Sequence, residues 1–224
     1  MADVTFSAPV KVAVLASGSG SNLQALINAC ATPGFPARIV HVLSNVDGAK
    51  ALERARAAGI PTSVVSHRQF AEREAFDNAV NEHLREVGAE LVCLAGFMRI
   101  LSEPFVDQWR DRLINIHPSL LPAFKGLHTH ERVLAAGVRI TGCTVHFVRP
   151  AMDEGPIIVQ AAVTVLPGDT PDELAARVLD AEHRIYPLAL RLVTSGRARV
   201  VGEGVEIENY APEPASLLNP GENT

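Results

Sequence analysis

The chain has 224 residues, 47% of them hydrophobic and 20% charged, with a formal charge of −5. That size and balance suit one globular α/β domain with a sizeable core, and they exclude a chain that is disordered or membrane-embedded as a whole. Acidic and basic residues are interspersed and leave no basic stripe to grip nucleic-acid phosphates, so the expected partners are small molecules, with no nucleic acid and no membrane.

Residues 1–9 lack a basic start and an apolar segment, which reads as a frayed end and not as a signal peptide or anchor. Residues 10–16 are an apolar, β-branched run expected to be a buried strand, followed by the turn Ser17-Gly18-Ser19-Gly20-Ser21-Asn22. Leu23, Leu26, Ile27 and Cys30 then mark one face of a helix. A strand over 37–43, a helix over 49–58 closed by Gly59, and a short strand over 62–66 complete a βαβαβ alternation.

A long helix is expected over 69–87, stopped by Gly88, and a central parallel strand over 90–95, apolar enough to be covered on both faces. A short helix over 104–110 and a strand over 113–116 lead into His117-Pro118. Residues 144–148 and 157–165 read as strands of an antiparallel appendage. Thr170-Pro171-Asp172-Glu173 carries a capping box for a helix to about 195, kinked at Pro187. A hairpin over 198–201 and 205–207 and an unfolded tail over 211–224 follow, with no internal repeat or linker. The fold class expected is α/β: a twisted, mostly parallel sheet with helices on both faces and antiparallel strands toward the C-terminus, in a single domain whose core spans about 10–207. The odd count and wide spacing of Cys30, Cys93 and Cys143 suit reduced core thiols and a cytoplasmic protein.

Four features carry chemistry. The turn at 18–22 ends at a helix start, where unpaired N–H groups and a partial positive charge suit an anion. It imitates a dinucleotide fingerprint, but Leu23 stands where the third glycine belongs, so a phosphomonoester fits better than NAD. Asn115 and His117, two apart in a strand, share a face: either they merely bond loop carbonyls, the commoner outcome for such a pair, or they address one substrate carbonyl oxygen, an amide donor beside an imidazole. Asp153, in a Gly-Pro turn, either caps its own turn or reaches His117; if it reaches, it orients the ring, favours its charged form and can take up a proton. Glu182 falls on the apolar stripe of the last helix, where a charge needs a partner, either an arginine or a ligand ammonium. The spacing of His128 and His130 near His117 and Asp153 is a poor metal signal, and no metal is expected.

Taken in order, the loop Gly18 to Ala25, the run Ala95-Gly96-Phe97-Met98-Arg99-Ile100-Leu101, the stretches 115–122 and 126–130, the Asp153-Glu154-Gly155-Pro156 turn and Glu182-His183-Arg184-Ile185-Tyr186-Pro187 resemble the glycinamide ribonucleotide transformylase family in its single-domain form. The resemblance covers about residues 10–200. It implies transfer of a formyl group from the co-substrate 10-formyltetrahydrofolate to the amine of 5-phosphoribosylglycinamide, in de novo purine biosynthesis, by a monomer or homodimer. It implies catalytic roles for Asn115, His117 and Asp153, and a ribotide site at Gly20, Ser21, Asn22, Arg73 and Glu182. Met98, Arg99 and Ile100 would line the folate pocket with Asn115. Thr144 stands where some relatives carry Ser, and Phe124-Lys125 where others carry Tyr-Pro. Neither is expected to touch the catalytic trio, so both should affect affinity before chemistry. Two other formyl enzymes, methionyl-tRNA formyltransferase and formyltetrahydrofolate deformylase, share the trio but normally carry a second domain, for which this chain has no room. A nicotinamide oxidoreductase is disfavoured by Leu23, and a sugar-phosphate sensor has no use for the trio.

Overall fold

The computed structural model describes residues 6, 8–209, 217 and 219; otherwise the chain ends, expected to be a frayed start and an unfolded tail, lie outside the described residues. In chain order the elements are β1 Val10–Leu15, α1 Ser21–Cys30, β2 Ala37–Ser44, α2 Lys50–Ala57, β3 Thr62–Val64, α3 Arg73–Glu86, β4 Leu91–Leu94 and α4 Glu103–Gln108. They continue with β5 Leu113–His117, α5 Thr129–Ala135, β6 Ile140–Phe147, β7 Ile157–Thr164, α6 Pro171–Thr194, β8 Ala198–Val201 and β9 Gly204–Ile207.

Among the described residues seven strands form one sheet in the order β3-β2-β1-β4-β5-β6-β7, and β8-β9 form a separate hairpin. The pairs from β3 to β5 are parallel and the pairs β5–β6 and β6–β7 antiparallel. Alternation along β1 explains the layers. Val12 and Val14 point into a core shared with Leu23 and Leu26 of α1 and Val178 and Tyr186 of α6. Ala13 and Leu15 point into a second core with Phe76, Val80 and Leu84 of α3 and Trp109 after α4. Both faces of the central strands are therefore buried, as their unbroken apolar runs require.

Strand order reverses direction between β1 and β4, the switch point where open α/β sheets place ligands beyond the strands' carboxyl ends. The loops leaving these strands are tied together: Ser17 N–H donates to Gly96 O (3.0 Å), and Met98 N–H donates to Ser17 Oγ (2.8 Å). The buried Tyr186 hydroxyl lies 2.9 Å from Leu94 O and 3.3 Å from Ile114 O, fixing α6 against the end of β4 and the start of β5.

Several boundaries differ from the sequence reading. α3 starts at Arg73 because Phe70 is extended, its ring against Phe76 (5.9 Å between centroids), and His67–Gln69 close into a single 3₁₀ turn. β6 begins four residues earlier than its apolar pattern suggested, running through Gly142. A side chain there would put Cβ 1.9 Å from Ala161 O, so the glycine is a close approach between strands and not a break. α5 escaped the sequence reading altogether; it has 7 residues, and its N-cap is His128 in the left-handed region, with no side-chain cap to announce it. The capping box of α6 is present: Glu173 N–H donates to Thr170 Oγ1 (3.3 Å) and Thr170 N–H donates to Glu173 Oε2 (2.9 Å). α6 then continues through Pro187, whose missing N–H leaves the His183 carbonyl without its intrahelical donor. Cys30, Cys93 and Cys143 are free thiols, the latter two buried.

Candidate active site

β5 ends on the two residues that face the cleft. Asn115 and His117 lie on the same side of the strand, and the antiparallel register places His146 of β6 opposite Asn115 and Thr144 opposite His117. The loop after β6 then turns back through Asp153, held at a φ of 49°, and brings its carboxylate to the ring: His117 Nδ1 lies 3.4 Å from Asp153 Oδ1. The second carboxylate oxygen accepts from Gly126 N–H at 2.6 Å, so Asp153 does not merely cap its own turn.

His117 is only 5% exposed, and its Nε2 lies 3.0 Å from Phe124 O. With a carboxylate at one ring nitrogen and a carbonyl at the other, both contacts are hydrogen bonds only when both nitrogens carry hydrogen. The loop that supplies Phe124 O is fixed in turn by Thr144, whose hydroxyl donates to Ser119 O (2.7 Å) and accepts from Leu121 N–H (3.1 Å). This qualifies the expectation for Phe124-Lys125: the Phe124 backbone carbonyl touches His117, whereas Lys125 pairs with Glu154, next to Asp153, and with no member of the trio among the described residues.

Asn115 Nδ2 lies 3.3 Å from His146 Nε2, and His146 Nδ1 lies 3.0 Å from Phe147 O. The carbonyl requires a hydrogen on Nδ1, which leaves Nε2 as the acceptor that orients the Asn115 amide. Burial pushes the His146 pKa down, keeping that ring neutral, while the hydrogen bond to Phe147 O pulls the other way.

A cleft of about 840 Å³ opens over these residues, and its walls include Phe97, Met98, Ile100, Leu101 and Val106. Arg73, at the first turn of α3, and Arg99 lie on the same walls. Met98 and Ile100 are exposed at the rim, at 64% and 57%. A concave site with apolar walls and polar groups among them to fix orientation is the usual anatomy of a small-molecule site.

At the start of α1, Gly20 takes a φ of 71°, and a Cβ there would lie 2.6 Å from Ala51 Cα, so only glycine lets the turn press against α2. Asn22 follows, donating from Nδ2 to Glu182 Oε2 at 2.7 Å, while Asn22 Oδ1 is buried with no hydrogen-bond partner among the described residues. Glu182 is 6% exposed; burial pushes its carboxyl pKa up, and the Asn22 hydrogen bond partly offsets the shift. Its partner is thus an amide and not the arginine of a buried ion pair.

The sequence matches the formyl transferase family over residues 10–190. The chain belongs to that family. This formyl transferase is 46% identical over 191 residues to the phosphoribosylglycinamide formyltransferase of Escherichia coli (strain K12), covering 85% of this chain and 90% of that one. It is 56% identical over 198 residues to the trifunctional purine biosynthetic protein adenosine-3 of Gallus gallus, matching 88% of its own length but spanning only 20% of that protein. Among solved structures, glycinamide ribonucleotide transformylase 1 from Symbiobacterium toebii superposes with a TM-score of 0.87 at 48% identity, over 89% of this chain and 94% of that one.

Of the formyl transferase's sequence-derived candidates, Asn115, His117 and Asp153 come together on the cleft floor. Gly20, Ser21, Asn22 and Glu182 gather at the α1 start. Arg73 lies apart from that group, on the cleft wall with Met98, Arg99 and Ile100. His128 and His130 line the cleft too, and among the described residues no cluster of three or more His, Cys, Asp or Glu could hold a metal ion. His146 was missed, although it sits two positions after Thr144 in a strand already expected; only the pairing of β5 with β6 shows that it faces Asn115.

Proposed function

We propose that this chain transfers the formyl group of 10-formyltetrahydrofolate to the amine of 5-phosphoribosylglycinamide, a step of purine biosynthesis. One observation carries the reading: the amide of Asn115, the imidazole of His117 and the carboxylate of Asp153 converge at the foot of a cleft beside a helix start built around Gly20. The apolar walls suit a pteridine, and Arg73 and Arg99 suit the carboxylates of its glutamate tail. Arg73 is therefore assigned to the folate. Gly20, Ser21 and Asn22 take the ribotide phosphate, and the carboxylate of Glu182 holds the glycinamide amine.

In the reaction the neutral amine attacks the formyl carbon, and the carbonyl oxygen becomes an oxyanion. Asn115 donates its free amide N–H to that oxygen, and protonated His117 donates from Nε2. In the free protein the Phe124 carbonyl holds that hydrogen, so the oxyanion must displace or share this contact. Asp153 keeps the charged ring in place and takes up the amine proton, directly or through water. Collapse breaks the bond to the folate N10, to which Asp153 returns that proton, directly or through water, so that tetrahydrofolate leaves and the carboxylate is restored. Holding both substrates in one cleft supplies much of the acceleration.

Among the described residues no helix is long and apolar enough to cross a membrane. Three free thiols accord with a cytoplasmic protein. Purified protein mixed with the ribotide and 10-formyltetrahydrofolate should yield formylated ribotide by mass and tetrahydrofolate by absorbance. Formate release without ribotide consumption would instead mark a hydrolase and sink the reading.

A further inference from the structure

We propose that Arg54 of α2 is a positioning residue that makes the turn before α1 selective for a phosphate. This rests on the reading above, in which that turn holds the ribotide phosphate. A helix start binds an anion only when its N–H groups face the ligand and the preceding carbonyls do not, because a carbonyl oxygen aimed at a phosphate repels it. In this turn two successive carbonyls are drawn off toward α2. Ala51 N–H donates to Gly18 O at 3.0 Å, and Arg54 Nε–H donates to Ser19 O at 2.9 Å. Gly20 then enters the left-handed region, pressed against Ala51, and its own carbonyl accepts the first helical bond, from Gln24 N–H at 2.9 Å. The first N–H groups of α1 are left facing outward.

Arg54 is fitted to this task, and among the described residues it makes no ion pair. Its guanidinium also donates from Nη1 to Gln24 Oε1 at 3.4 Å, so one side chain spans the turn and the first turn of α1. α1 has no acidic residue in its first turn and no side-chain cap, so nothing local competes with a phosphate for its start. The guanidinium borders a hollow of about 360 Å³ lined also by Ser21, Gln24 and His183, which places a fixed positive charge beside the residues assigned to the phosphate. Arg54 thus acts through the Ser19 peptide and through its charge, with no part in the formyl chemistry.

The test compares wild type with Arg54→Met, which keeps the aliphatic stem, and Arg54→Lys, which keeps the charge but on one donor nitrogen without the guanidinium fork. Calorimetric titration with ribose 5-phosphate reads the turn without formyl chemistry, and steady-state kinetics reads kcat and both KM values. Arg54→Met should bind ribose 5-phosphate about tenfold more weakly, the scale of a charge-assisted hydrogen bond. The ribotide KM should rise with it, while kcat and the folate KM stay put. Arg54→Lys should fall between the two. Equal affinity for ribose 5-phosphate in wild type and Arg54→Met would overturn the proposal, as would a fall in kcat and a rise in folate KM together with the ribotide effect, the mark of general damage. A wild type that binds ribose 5-phosphate but never formylates the ribotide would fault the proposed function and leave the Arg54 comparison standing.

Discussion

The Asp153 carboxylate lies 3.4 Å from His117 Nδ1 while its other oxygen is held at 2.6 Å by the Gly126 amide. This split attachment makes Asp153→Asn a clean probe. An asparagine can still accept from Gly126 through its carbonyl oxygen, but it then turns an NH₂ group toward His117 Nδ1, which favours the ring with no hydrogen there. Turnover should fall about 10²–10⁴-fold, with both KM values within a few-fold of wild type. A variant retaining most of its kcat would show that the carboxylate is not a partner in proton transfer.

Asn115 is expected to carry most of the oxyanion stabilisation, so Asn115→Ala should lower kcat by roughly two to three orders of magnitude. Wild-type turnover in this variant would remove Asn115 from the mechanism.

His146 contributes by holding that amide. Because the ring is buried and kept neutral, its Nε2 accepts from Asn115 throughout the working pH range. His146→Leu frees the amide to rotate and leaves it short of a partner. The expected loss is about tenfold in kcat with little change in KM, on the scale of one net hydrogen bond. In Asn115→Ala the same change should add almost nothing, since two residues acting through one contact are not additive. Fully additive losses would separate His146 from Asn115.

The central sheet was legible because its strands are short apolar runs, α1 and α3 because they repeat an apolar face, and α6 because its capping box announces its start. α5 was not legible: seven residues show too little periodicity, and a left-handed His128 gives no cap signal. The trio was legible only in part. The shared face of Asn115 and His117 follows from strand geometry, whereas the reach of Asp153 depends on a loop path that no local pattern encodes. The same limit applies to Arg73, whose wall of the cleft is set by where α3 begins, and to the Phe124 carbonyl, which no side-chain pattern could reveal.

Glu182 should trade stability for binding. Its folded pKa is raised by burial, so its stabilising state is the neutral one, fully present below the unfolded value and lost as pH rises through the folded value. At neutral pH, above the unfolded value, the buried carboxyl group is therefore a burden in the empty protein. Glu182→Gln keeps an acceptor for Asn22 and removes the charge, so the Tm near pH 7.5 should rise by about 2–4 °C, corresponding to roughly 1 kcal/mol. Ribotide KM should rise about tenfold through the lost contact to the amine. A lower Tm combined with an unchanged KM would refute both halves.

Acid stability should depend on His41, on the far side of β2 from α1. Its Nε2 lies 2.9 Å from Ser63 Oγ and 3.1 Å from Nε2 of His83, a ring that also lies 3.9 Å from Glu86. Burial, and secondarily the neighbouring His83, push the His41 pKa down from 6.5 to about 4. Above pH 6.5 the ring is neutral whether the chain is folded or not, and the folded state loses nothing. Below that value the unfolded chain binds a proton that the folded ring refuses, so stability falls progressively until the folded ring itself titrates near pH 4. The loss attributable to His41 should be about 1–2 kcal/mol between pH 7 and 4.5, allowing for screening by solvent that reaches the pair past the partly exposed His83. His41→Gln can still bond Ser63 but cannot titrate. Its urea midpoint should fall less steeply over that interval than that of wild type, and parallel curves would place the acid sensitivity elsewhere.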